Sequence, residues 1–264
     1  MNARELFQAG RLNDAVAAAI EQVKNNPMEA GPRGLLCELL CFTGDWDRAD
    51  KHLDVLGQQD PKALVALAVI RQVIRAEAAR QQLFTDGRLP EFLDKPTDEL
   101  QARLQATIAI REQKLDEAAK LLAEAEALRK PLKGVCDGQA FDDWRDLDDV
   151  TSSVFEVLTT NGKYYWVPAS SVESLEFHAP ERPRDLIWRR CHMIVRGGPD
   201  GEVYVPTLYP RTFASSDDQL RLGRGTEWTP DETPPIRGAG QRMFLVGDEA
   251  KAIMQVTQVE FASE

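Results

Sequence analysis

Apolar residues in the first half of the chain return every three or four positions, the spacing of one helix face. In the second half they alternate in short runs. The first pattern is rich in Ala and Leu, the second in aromatic and β-branched residues punctuated by Gly and Pro. The change falls after Gly134. It predicts an α domain over residues 1–134 and a β-rich domain over residues 135–264.

The helical half repeats itself. "GRLNDAVAAAIEQVKNNP" starts at Gly10 and "GDWDRADKHLDVLGQQDP" at Gly44, so Gly10/Gly44, Ala15/Ala49 and Pro27/Pro61 are each 34 residues apart. Leu12 aligns with Trp46, and Ala19 with Leu53. A turn glycine, a small residue five later and a proline seventeen later, at this period, resemble the tetratricopeptide repeat. Glycine permits the tight turn between antiparallel helices, the alanines allow close approach, and the prolines separate one hairpin from the next. A degenerate further unit, "REQKLDEAAKLLAEAEALRKP", puts Ala118 103 residues after Ala15 and closes at Pro131. Between them a long helix is expected from about Pro61 to Phe84, then a loop, "TDGRLPEFLDKP". Seven helices in all are expected, packed as hairpins.

In the second half, "SVFEVLTTNGKYYWVP" reads as a hairpin whose Asn161-Gly162 suits a type I′ turn. "RRCHMIVRGGPDGEVYVP" reads the same way, with Gly197–Gly201 as its loop. "QRMFLVG" and "AIMQVTQVEF" supply further strands. The expected fold is α+β: tetratricopeptide-like hairpins followed by five or six antiparallel strands, a small curled sheet or partly open barrel.

Charge narrows the functional classes. The net charge is −11, and it divides unevenly. Residues 1–134 hold 19 basic and 21 acidic side chains, and residues 135–264 hold 13 and 22. An acidic chain lacks the basic footprint of a nucleic-acid binder. No segment is apolar for the roughly 20 residues that span a bilayer. "MNARELFQAGRLNDAV" has neither the basic nor the apolar region of a signal peptide, and the four cysteines form no disulfide pattern, so a cytoplasmic location is expected.

Candidate chemistry is sparse. "DDWRDLDDV", residues 142–150, carries Asp142, Asp143, Asp146, Asp148 and Asp149 around Trp144. A Mg²⁺ or Ca²⁺ site needs such oxygens to converge, but the spacing of a calcium loop is absent, as is a phosphate-cradling GxxxxGK[ST]. The expectation is that Trp144 and Leu147 pin the junction between the halves while the aspartates face solvent or the arginines of the second half. A metal-dependent hydrolase built on these aspartates is the competing reading. Cys37 and Cys41 share a helix face, but no second pair has ligand spacing, and packing is the expected role. There is no GxSxG elbow, and "GRG" and "GAG" lack the setting of a dinucleotide fingerprint. No metal, no cofactor and no enzymatic activity are expected. Arg182, Arg184, Arg189 and Arg190 crowd "PERPRDLIWRR", with Arg211, Arg221, Arg224, Arg237 and Arg242 beyond. They suit either internal pairing with the aspartates or a patch for an acidic partner.

Helical repeats followed by "WRDLDD", "FEVLTTNGKYYWVP", "RDLIWRR", "VPTLYP", "RLGRGTEW" and "GQRMFL", in that order, resemble the ImpE family. These are the TagJ or SciE-type accessory proteins encoded with bacterial type VI secretion systems. The resemblance implies a cytoplasmic, non-enzymatic adaptor that binds the small contractile-sheath subunit and is thereby linked to the sheath-disassembling ATPase. Independently, helical repeats build grooves for a partner helix. The first helix of each hairpin would line the groove, giving Arg4, Phe7 and Gln8, then Gly34, Glu38 and Phe42, then Ala68, Gln72 and Arg75. Phe7 and Phe42 suit the core better. Arg4, Glu38, Gln72 and Arg75 are therefore the expected contacts. Tyr165, Arg189 and Arg190 would offer an alternative contact on the β-rich half.

Overall fold

The computed structural model describes residues 1–230 and 233–263. Seven helices fill the first half: α1 (Ala3–Gln8), α2 (Leu12–Asn25), α3 (Ala30–Phe42), α4 (Trp46–Gln59), α5 (Leu64–Thr85), α6 (Asp98–Arg111) and α7 (Leu115–Leu128). The pairs α1/α2, α3/α4 and α6/α7 are hairpins. Gly10 and Gly44 turn the first two with φ of 78° and 72°, the left-handed region where glycine pays no steric penalty. The third hairpin turns at Gln113, φ 62°, which lies 103 residues after Gly10, just as Ala118 follows Ala15. Ala15, Ala49 and Ala118 are all fully buried, the close approach that the repeat demands. Where an intervening hairpin would turn, near Ala78, α5 runs straight on. The segment after it lies against the sheet, with Glu91 bridging Tyr165.

The second half has more strands than the pattern suggested. They are β1 (Gly134–Cys136), β2 (Gln139–Phe141), β3 (Trp144–Asp146), β4 (Val154–Leu158), β5 (Tyr164–Pro168), β6 (Val172–Phe177), β7 (Trp188–Val195) and β8 (Asp200–Pro206). A short helix α8 (Asp218–Arg221) precedes β9 (Thr226–Trp228), β10 (Gly238–Gly240), β11 (Met243–Val246), β12 (Glu249–Ala252) and β13 (Gln258–Phe261). Eight form one antiparallel sheet, ordered β2-β1-β13-β6-β7-β8-β4-β5, which is open and not closed into a barrel. β12-β11-β3 and β10-β9 form two smaller sheets. The fold is therefore α+β.

Both expected hairpins form, with altered turns. Between β4 and β5 only Gly162 has positive φ (85°), and its amide donates to the Thr159 carbonyl at 3.0 Å. With Asn161 at negative φ, the loop is a turn followed by a left-handed glycine in place of the type I′ turn expected. Gly201 lies inside β8, so the second hairpin loop is shorter than Gly197–Gly201.

One face of the large sheet packs on an aromatic core. There Trp144 meets Phe141, Phe155, Phe244 and Phe261, with ring centroids 4.7 Å apart for Trp144–Phe244. On the other face Val154, Leu158, Tyr164, Trp166 and Trp188 join a single apolar cluster with α1–α7. The core of the helical half thus continues into the sheet.

Candidate protein-interaction surface

The groove expected on the inner helices is largely filled by the chain itself. Glu38 on α3 is buried, and one oxygen accepts from Arg184 Nη1 at 3.0 Å and pairs with Arg182 Nε at 2.9 Å. Burial pushes its carboxyl up from the ordinary value, against the opposing pull of Arg182 and Arg184. The Gly10 turn lies under Gln219 and Arg224, and Arg224 Nη2 donates to the Phe7 and Gln8 carbonyls that end α1. Asp218 Oδ2 accepts from the Leu12 amide at 2.8 Å, supplying the N-terminal cap that Arg11 does not provide. The Gly44 turn abuts Phe213, whose ring stacks edge-on against Trp46 at 5.1 Å.

Behind this contact a buried ionic network joins the halves. Arg80 on α5 donates to both oxygens of Glu156 on β4 and to the Leu208 carbonyl, each at 2.9 Å, and to Glu77 at 3.0 Å. Arg242 bridges Glu156 to Asp146, and Tyr209 Oη donates to Asp146 at 2.8 Å. Trp188 Nε1 donates to Glu77 at 2.9 Å. Arg80, Arg242, Glu156 and Asp146 are all at most 2% exposed, so the charges are compensated by one another rather than by water.

The expectation that the aspartates face solvent or the arginines of the second half divides here: Asp146 and Asp148 meet Arg242 and Arg237, and Asp142 faces solvent. Trp144 is core, Leu147 only half-buried, while Asp146 and Asp148 lie fully inside. Asp148 takes both its oxygens to Arg237 Nε, at 2.9 and 2.8 Å. Asp143 receives two bonds from Arg129, at 2.7 and 2.6 Å, and Asp149 accepts from the Ile236 amide at 2.7 Å. Of the five, Asp142 alone is fully exposed. Each inward aspartate is committed to an arginine or a backbone amide, so the segment is an ionic seam within the β-rich half, tied to the helices by Asp143 and Arg129. Among the described residues no group of three or more His, Cys, Asp and Glu side chains is placed to hold a metal ion.

The remaining site residues scatter. Arg4 is exposed on α1. Arg189 is buried and donates to the carbonyls of His178, Ile253 and Val256, so it is committed within the β-rich half. Arg190 is exposed and donates to Glu202 at 2.5 Å. Tyr165 is half-buried on β5 beside the Glu91 bridge. Gln72 and Arg75 come together on α5, Arg75 Nη1 lying 3.5 Å from Gln72 Oε1.

Those last two border the stretch of groove that the β-rich half leaves open. At matching repeat positions α3 is covered at Glu38, but α5 presents Leu64, Val65, Ala68 and Arg75 to solvent, with Gln72 half-exposed between them. Leu64 is 52% and Val65 79% exposed, unusual for large apolar side chains next to one another. Beside this stripe a cavity of about 50 Å³ is lined by Cys37, Leu53, Leu56, Leu67, Ile70, Ile74 and Trp188, with Arg182 and Arg184 also on its wall. Leu64 and Val65 escaped the sequence reading. Their signal was available in "LVALAVI", seven consecutive apolar residues on a helix that has only one face to bury.

Comparison with known proteins agrees with this architecture. No helix among the described residues is long and apolar enough to cross a membrane. A crystal structure of a Vibrio parahaemolyticus protein is 26% identical and superposes with a TM-score of 0.92, covering 99% of this chain and 98% of that one. The type VI secretion system accessory component TagJ of Pseudomonas aeruginosa is 34% identical over 262 residues, 99% of this chain and 91% of that protein. The model of the ImpE protein family matches residues 138–260. With its β-rich half matched by the family and its whole length matched by TagJ, the chain belongs to the ImpE family.

Proposed function

We propose that this protein is a non-enzymatic accessory component of a type VI secretion system, acting in the cytoplasm as an adaptor. Its partner is the small contractile-sheath subunit, bound through an amphipathic helix, and through it the adaptor influences sheath assembly or ATPase-driven disassembly. The system follows from the named relative, TagJ. The mode of binding rests on one observation: the groove is covered by the chain itself at Glu38 of α3 but stays open and apolar along Leu64, Val65 and Ala68 of α5, as far as Gln72. These positions recur every three to four residues and so share a face that a second helix can cover. Gln72 and Arg75 are retained as contacts. Glu38 contributes indirectly, by seating the β-rich half through Arg182 and Arg184, and Arg189 by bracing that half internally.

Burying an exposed Leu or Val in such a contact contributes roughly 1.5–3 kcal/mol. Leu64→Asp combined with Val65→Asp should weaken capture of the purified sheath subunit by at least about a hundredfold. Unchanged capture by a folded double variant would remove α5 from the interface. Tyr165 and Arg190 on the sheet would then be the next surface to alter.

A further inference from the structure

The open stretch of α5 differs in charge from the rest of the molecule. The chain carries −11 overall, yet the side chains bordering Leu64, Val65 and Ala68 are cationic. Lys62 begins the stripe and Arg75 ends it, both exposed. The β4–β5 turn packs on Gln72: a side chain at Gly162 would stand 2.4 Å from the Gln72 Oε1 atom. That contact sets the next residue, exposed Lys163, beside the same face. On the cavity wall Arg182 and Arg184 face two carboxylates, Glu38 and, 3.8 Å from Arg184, Asp185, so that cluster is balanced. Among the described residues neither Lys62 nor Lys163 has a carboxylate partner, and Arg75 reaches only the Gln72 amide. Arg71, by contrast, is held by Asp50 and Asp54 on the α4 side, a cluster with one carboxylate in excess that offers a partner no cation.

We propose that the segment docking on α5 is an acidic amphipathic helix, its apolar stripe on Leu64, Val65 and Ala68 and its carboxylates meeting Lys62, Arg75 and Lys163. The proposal rests on the α5 docking reading and adds the chemistry of the partner. Long-range attraction by a chain of net −11 favours a basic peptide. Preference for an acidic one must therefore come from the local cations, which act within about a Debye length of 8–10 Å. Charge complementarity of this kind fixes partner choice and register more than raw affinity.

Two synthetic helical peptides with the same apolar stripe, one flanked by Glu and the other by Lys, distinguish the cases in calorimetric titrations of the full-length protein. The Glu peptide should bind roughly tenfold more tightly at low salt, as several exposed ion pairs allow. Arg75→Glu with Lys163→Glu should abolish or invert that preference, as should about 0.5 M salt for the unaltered protein. Neither substitution removes a buried partner, so folding is preserved. Equal or tighter binding of the Lys peptide, or a Glu preference that survives the double reversal, overturns the proposal while leaving apolar docking intact. Binding of both peptides that is indifferent to Leu64→Asp/Val65→Asp, or no binding of either, overturns the docking reading itself.

Discussion

Arg80 on α5 and Glu156 on β4 form a two-pronged ion pair, Nε to Oε1 and Nη2 to Oε2, both 2.9 Å, with neither side chain more than 2% exposed. The pair joins residues 76 apart in sequence, one from each half of the chain, and Arg242 and Asp146 extend it. It orients the sheet against the helices, and so decides which part of the groove is filled and which is open.

Removing one member leaves a buried charge without its partner, which costs about 3–5 kcal/mol. Arg80→Met should therefore lower the stability measured by urea unfolding by that order. Adding Glu156→Met should restore part of the loss, because two apolar side chains leave no orphaned charge. A single variant as stable as the wild type would show that the pair contributes nothing.

The same network sets a pH dependence with opposing contributions. Burial pushes Glu156 up, but Arg80 and Arg242 outweigh it and hold its carboxyl at about 2, below the ordinary 4.5. Its stabilisation is complete above pH 4.5 and is lost as pH falls through about 2. That loss is on the order of 3 kcal/mol. Burial pushes Asp146 up to about 6 from 3.8, against the pull of Arg242. Its contribution is full below pH 3.8 and is lost as pH rises through about 6. The stability deficit of Glu156→Gln should therefore shrink on acidification below pH 4.5. That of Asp146→Asn should shrink on raising the pH from 3.8 to about 6. Denaturation series across these ranges that run parallel to the wild type would refute the assignment.

The turns of the repeat give predictions of opposite sign. Gln113 holds a left-handed φ of 62° where the other two hairpins use glycine. A non-glycine residue there costs about 1–2 kcal/mol, so Gln113→Gly should stabilise the protein by something near 1 kcal/mol. Gly44→Ala should destabilise it by more than 1–2 kcal/mol. A Cβ there would lie 2.5 Å from Phe213 Cδ2, on a backbone with φ of 72°. Thermal melts of the two variants moving in the same direction would contradict this account.

What was legible in the chain was local. The 34-residue period placed the glycines, the buried alanines and the ends of the helices, since each depends on neighbours within one hairpin. The strand hairpins were legible for the same reason. For the aspartates of residues 142–150 the arginines of the second half were legible as partners, but not which pairs with which or how deeply, because Arg237 and Arg242 lie some 90 residues on. A hint lay in "VFEVL", where Glu156 interrupts an apolar strand and so needs a buried cation. The inner groove was misjudged at Glu38 because repeat register tells which face is concave but not that the same chain covers it.

The shared core bears on the boundary after Gly134. Val154, Trp166 and Trp188 pack in the same apolar cluster as α1–α7, so each half alone would expose the surface the other buries. Residues 1–134 and 135–264 made separately should give broad, non-cooperative unfolding, and mixing them should sharpen it. A cooperative transition for residues 1–134 alone would establish an independent helical domain.

Hydrogen exchange of the full-length protein with and without saturating small sheath subunit tests the central claim most directly. The account predicts new amide protection concentrated in residues 64–75 of α5, with α1 and α3 unchanged. Protection confined to other elements, with residues 64–75 exchanging as fast as in the free protein, would contradict it.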